Sequence, residues 1–234
     1  MSEYIAGSTV KEETFQKRYR QLLYRTVEES AGKNYPSSEI SFQTGLWYEE
    51  EGYKREVWKN AREKLQLDTW QAHQDDPEYI INCVNQAVFS CDNLLSTENR
   101  TFKVPDKLNN AAKKAAGIFF DLFLSDNSLN DEKCFTSLVP LFSGIYDSFS
   151  VVAYFYFLKD INKYAPVRRD MDARCLSMLG VNGSIMAKCT WTNYMTYMHA
   201  VYDLKGYLEN ELESVELIDA QSFLWMMYKV KPDT

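Results

Sequence analysis

Histidine is almost absent: His73 and His199 stand alone in 234 residues, and neither sits in HExxH or another metal-binding spacing. GxSxG, GxxxxGK[ST] and GxGxxG are missing too, which leaves no sequence signature of a nucleophile elbow, a phosphate loop or a dinucleotide fingerprint. The five cysteines, Cys83, Cys91, Cys134, Cys175 and Cys189, are odd in number and contain no CxxC pair, so they read as reduced, mostly buried thiols and not as a zinc site or a disulfide framework. Only 9 glycines and 6 prolines are present, with no Gly/Ser-rich or Pro-rich linker, as suits long helices in one domain or a pair of lobes, 11–128 and 129–234. The opening MSEYIAGSTVKEETF carries acidic residues and no apolar h-region, and no apolar run is long and uncharged enough to span a bilayer. The expected location is the cytoplasm, with no membrane partner.

Excess basic charge is lacking as well. A net charge of −7 and a pI near 5.0 exclude a surface that is nucleic-acid-binding throughout, while leaving room for a local basic patch. What the chain has in quantity is apolar and aromatic material, 45% and 15%, ample for a packed core.

The richest apolar stretch is Leu141 to Lys159, LFSGIYDSFSVVAYFYFLK, which reads as a central buried helix. Along it Ser143, Asp147 and Ser150 fall at i, i+4 and i+7, one face, with Gly144 and Ser148 beside them. That stripe is either a close-packing seam or the wall of a site. Because Asp147 lies in apolar surroundings, it must have a polar partner or be neutral if buried.

Helical periodicity places further helices around it. Residues 11–30 carry Phe15, Tyr19, Leu22, Leu23 and Val27 on one side, with Gly32 and Pro36 as terminators; Lys17, Arg18, Arg20 and Arg25 read as a solvated face. Tyr53, Val57, Ala61 and Leu65 repeat every four residues in a second helix through Trp70, preceded by the carboxylate triplet Glu49 to Glu51, a solvated helix-end feature. Asp75, Asp76 and Pro77 start a third, amide-rich helix, and Pro105 and Asp106 a fourth. A short helix follows the turn cluster after Ser125. Beyond the central helix come a short one from Asp170 to Gly180, a long one from Thr190 to about Leu212, and a last from Leu217 to Val230 with Asp219 as a cap. No segment sustains period-two alternation. The fold class is therefore all-α: a single compact multi-helix domain of eight to nine helices around a buried central one.

Two nuclease patterns can be tested on spacing. Helical RNases that place an Arg four to six residues before a His fail, since the nearest upstream arginines are Arg62 for His73 and Arg174 for His199. A Pro-Asp followed by acidic-x-Lys lacks its strands and its second half. Cys189 and His199 would lie about 14 Å apart along one helix, too far to act as a nucleophile and base.

The C-terminal third carries a recognisable set of motifs: Lys159, Asp160, Tyr164, Pro166, Asp172, Leu179 and Gly180, then Trp191 and Tyr194, then Asp219, Ala220, Ser222, Phe223, Leu224 and Trp225. It resembles a poorly characterised helical module of bacterial restriction and mobile-element proteins, in which Tyr-x-Pro precedes an Asp helix, Trp-x-x-Tyr follows, and Asp-Ala-x-Ser-Phe-x-Trp closes the chain. Asn60 to Trp70, NARxKLxLDxW, is a weaker match. The resemblance implies a defence or mobile-element context and no particular activity. For Phe223 and Trp225 the favoured reading is that they pack the core as aromatics.

Chemistry is concentrated in Tyr164 to Asp172, YAPVRRDMD, where Pro166 forces extended backbone beside two arginines. Arg168 and Arg169 offer planar donors for phosphate or carboxylate, which Asp170 or Asp172 could orient; the plainer reading has Asp170 capping the next helix. The expected binding residues are Arg168, Arg169, Tyr164, Asp172 and Asp147, with no metal, no cofactor and no catalytic residue. The function expected is non-catalytic recognition of a protein or nucleic-acid partner. The alternative is an enzyme acting on a nucleotide or nucleic acid with a site around Asp147 and Tyr164 to Asp172. An enclosed polar cavity would favour the enzyme, and a surface groove the recognition protein.

Overall fold

The computed structural model describes residues 10–30, 40–89, 94–95, 110–125, 130–144 and 147–229. The expected roles of Gly32, Pro36, Cys91, Pro105 and Asp106 lie outside these residues. Among the described residues the chain forms helices and no strand, as the absence of alternation requires. No described helix is long and apolar enough to cross a membrane.

The elements in order are α1 (Glu12–Ser30), α2 (Gly45–Glu51), α3 (Tyr53–Leu65), a 3-10 segment (Leu67–His73), α4 (Pro77–Phe89), α5 (Asn110–Leu124), α6 (Asp131–Leu138), a 3-10 segment (Val139–Phe142), α7 (Ser148–Lys159), α8 (Arg169–Met178), a 3-10 segment (Gly183–Ala187), α9 (Trp191–Glu209) and α10 (Leu217–Lys229). One contiguous apolar core runs from Val10 to Met227. α3 packs on α4, α4 on α5, α9 on α10 and α10 on α8. At the centre is α7, in which all ten residues from Phe149 to Leu158 are buried.

The central helix is shorter than its apolar run. Leu141 lies in the 3-10 segment Val139–Phe142, and Ser143 and Gly144 form a turn. Asp147 is the N-cap of α7, accepting the Ser150 N–H at 3.1 Å and the Ser150 hydroxyl at 2.5 Å. Asp147 thus has its polar partner, but Ser143, Asp147 and Ser150 do not share a helical face. Aspartate satisfies open N–H groups at a helix start better than it serves a helix interior, and this preference overrode the apolar pattern.

The second helix also differs from expectation at both ends. It begins at Gly45 as α2 and passes through Gly52, which keeps helical φ −61° and ψ −24°. A side chain there would lie 2.7 Å from the Tyr48 carbonyl oxygen, so glycine is what lets α2 run closely into α3. The helix stops at Leu65 because Gln66 turns left-handed at φ +51°. Trp70, fully buried, donates its indole N–H to the Leu65 carbonyl at 2.6 Å and so caps α3, which gives NARxKLxLDxW a structural reason. Glu51 is not solvated: it is 2% exposed inside the protein. Tyr53 is 49% exposed, and the residue that joins Val57, Ala61 and Leu65 on the inner face is Lys54.

Two later expectations hold with small shifts. Thr190 caps α9 by accepting the Asn193 N–H at 3.2 Å. Gly180, at φ +82°, closes α8 with a Val181 N–H to Leu176 carbonyl bond of 2.9 Å. Asp170 does not cap α8. Among the described residues no side chain caps its first turn; Asp172, one turn in, instead accepts the backbone N–H of the N-cap residue Arg168 on its Oδ2 at 2.7 Å.

Candidate functional site

Between α7 and α8 the chain runs extended through Tyr164, Ala165, Pro166 and Val167, as a proline in this position demands. Extended backbone has no ladder of its own, and α9 supplies the missing donors. The hydroxyls of Tyr194, Tyr197 and Tyr202 donate to the carbonyls of Ala165 (3.0 Å), Pro166 (2.8 Å) and Lys163 (2.9 Å), while the Ala165 N–H meets Met198 Sδ at 3.3 Å. Tyr-x-Pro and Trp-x-x-Tyr are therefore two halves of one clamp.

The clamp delivers Arg168 to α10. Its guanidinium carbon lies 4.4 Å from the Trp225 ring centroid, and Lys229 Nζ lies 5.1 Å from the same ring. Trp225 stacks on Tyr228, 6.0 Å between centroids and 20° between planes, and Arg174 of α8 lies 5.8 Å over Tyr228 and donates to its hydroxyl at 3.3 Å. The result is a ladder of Arg168, Trp225, Tyr228 and Arg174. Among the described residues neither arginine forms an ion pair with a carboxylate, although the chain is acidic. Arginines backed by aromatic faces keep their N–H edges free for an external anion.

Beneath the ladder lies a buried polar layer. Lys54 Nζ stands 2.5 Å from Glu51 Oε2 and donates to Gln221 Oε1 at 2.6 Å and to Ser222 Oγ at 2.9 Å. Those two acceptors and the Glu51 carboxylate surround the ammonium and oppose the burial that lowers the Lys54 pKa. Burial raises that of Glu51, neither of whose carboxylate oxygens has a hydrogen-bond partner among the described residues. Asp172, fully buried, is pushed up to about 7 by burial, against the opposing pull of the Arg168 N–H and the Lys54 and Arg168 charges. The Tyr197 hydroxyl also lies against Asp172, but its proton goes to Pro166. A crevice of about 20 Å³ lined by Tyr53, Lys54, Pro166, Arg168, Gln221 and Trp225 opens beside this layer, water-sized by volume.

The five residues expected to form one site are not brought together. Arg168 and Asp172 meet at this layer. Arg169 pairs with the exposed Asp170 at 3.3 Å. Tyr164 is buried elsewhere, donating to Asp131 Oδ2 at 2.5 Å, and Asp131 is also 2.5 Å from Lys159. Asp147 caps α7. Trp225, expected in the core with Phe223, is only partly buried, while Phe223 is fully so. Lys54 and Gln221 went unseen, and the sequence reads Glu51 as solvated; the available signal was a lysine three residues before Val57, on the face of Val57, Ala61 and Leu65. Arg174 and Tyr228 gave no such signal, since their pairing exists only across α8 and α10. No family model, curated protein or solved structure matches the chain.

Proposed function

We propose that the protein is a non-catalytic recognition module whose α8 and α10 surface docks an anionic partner. The observation that carries this reading is the Arg168–Trp225–Tyr228–Arg174 ladder, two guanidiniums held on aromatic rings and, among the described residues, in no salt bridge. Arginine and aromatic residues dominate the energetics of recognition surfaces because they combine large contact area with directional donors. The dispersal of Asp147, Tyr164 and Arg169 weighs against the enzymatic alternative, as does the water-sized crevice. A setting in bacterial defence or mobile elements rests on the resemblance of the C-terminal third.

Retention on an immobilised polyanion such as heparin tests the reading. Arg168→Ala/Arg174→Ala should elute at lower salt than the parent, whereas Lys17→Ala/Arg20→Ala on α1 should elute with it. Equal shifts for both pairs would mean that general charge, and not this surface, drives retention.

A further inference from the structure

Resting on the recognition reading just given, we infer that the anionic partner is single-stranded nucleic acid, with phosphates on Arg168 and Arg174 and a base stacked on the exposed Tyr53 beside Arg168. The surface asks for two properties in one ligand. Two arginines in no salt bridge among the described residues ask for repeated negative charge. Tyr53, at 49% exposure on the rim of the Arg168 crevice, asks for a planar apolar face, while Tyr228 is already held between Trp225 and Arg174. An acidic peptide supplies charge without such faces, and a duplex hides its faces inside the stack. A single strand presents both along its length, and stacking on aromatic side chains accepts any base.

The spacing agrees with a chain-like ligand. Arg168 and Arg174 are six residues apart, about 9 Å of helical rise, while their ring supports Trp225 and Tyr228 are one turn apart on α10. Two cations so placed address successive positions along a strand and do not converge on one phosphate. Lys229 adds a third cation, shared with Glu50 at 3.0 Å. With the crevice only water-sized, bases would lie across the surface and not enter a pocket, so binding would be sequence-tolerant.

Fluorescence anisotropy with labelled oligothymidylate, a duplex of the same length and an oligoglutamate peptide decides the matter. The single strand should bind best, with two or three phosphate contacts giving a log–log salt slope of about −1.4 to −2.1, close to a tenfold loss between about 50 and 200 mM salt. Arg168→Ala/Arg174→Ala should flatten that slope, and Tyr53→Leu should weaken binding about tenfold with the slope unchanged. Arg168→Lys/Arg174→Lys, which keeps the charge, should restore the slope should the alanine pair prove poorly folded by circular dichroism. Duplex binding equal to single-strand binding, or a folded parent that ignores the single strand, overturns the inference. Oligoglutamate binding lost in the arginine variant would overturn it while leaving the anionic-partner reading standing.

Discussion

The Tyr197 hydroxyl donates to the Pro166 carbonyl at 2.8 Å, two residues before Arg168, and so ties the segment that carries Arg168 to the long helix α9. Tyr197→Phe would leave that buried carbonyl unpaired, at a cost of about 1 to 3 kcal/mol. The urea midpoint should fall accordingly, and polyanion affinity should fall even at temperatures where the variant is fully folded. Unchanged affinity in the folded variant would mean that the clamp does not position Arg168.

Lys54 and Glu51 form a buried pair, and removing one partner strands the other. Lys54→Met should destabilise by about 3 to 5 kcal/mol, the usual cost of an uncompensated buried charge. Lys54→Met/Glu51→Met should recover much of the loss in guanidinium unfolding. A double variant no more stable than the single would show that Glu51 is not the stranded group.

The pH profile follows from Asp172. Its folded pKa of about 7 lies above the value near 3.9 of an unfolded aspartate, so the folded state holds the proton more tightly between these values. Its stabilising contribution is complete below about pH 4 and is lost as pH rises through 7, on the order of a few kcal/mol. Asp172→Asn keeps an acceptor for the Arg168 N–H but cannot titrate. Thermal melts from pH 5 to 8 should therefore decline more steeply for the parent than for the variant, and parallel profiles would contradict the assignment.

The sequence disclosed the fold class because apolar spacing reports burial directly, and α1, α8, α9 and α10 lie within a few residues of their expected limits. It misled where one local preference outweighed periodicity: Asp147 capping α7, and Gln66 turning left-handed to end α3. The extended segment at Pro166 was legible, since proline's restriction is local. The pairing of Arg174 with Tyr228, and of Lys54 with Gln221 and Ser222, depends on contacts between helices distant in sequence, which no spacing rule reads.

Trp225 sits at the boundary between core and surface. Because it is only partly buried, Trp225→Ala should cost less than the roughly 3 to 5 kcal/mol of a fully buried tryptophan, while Phe223→Ala should reach that range. Chemical denaturation of the two variants side by side measures the difference. Equal losses would place Trp225 in the core, as its motif position first suggested.

Whether Arg168 serves recognition or packing is settled by measuring both quantities on one variant. Arg168→Ala should leave the free energy of unfolding within about 0.5 kcal/mol of the parent, as for surface positions, while lowering affinity for the polyanion about tenfold at low salt. A stability loss well above that margin, with affinity per folded molecule unchanged, would make the Arg168–Trp225 contact part of the scaffold and contradict the account.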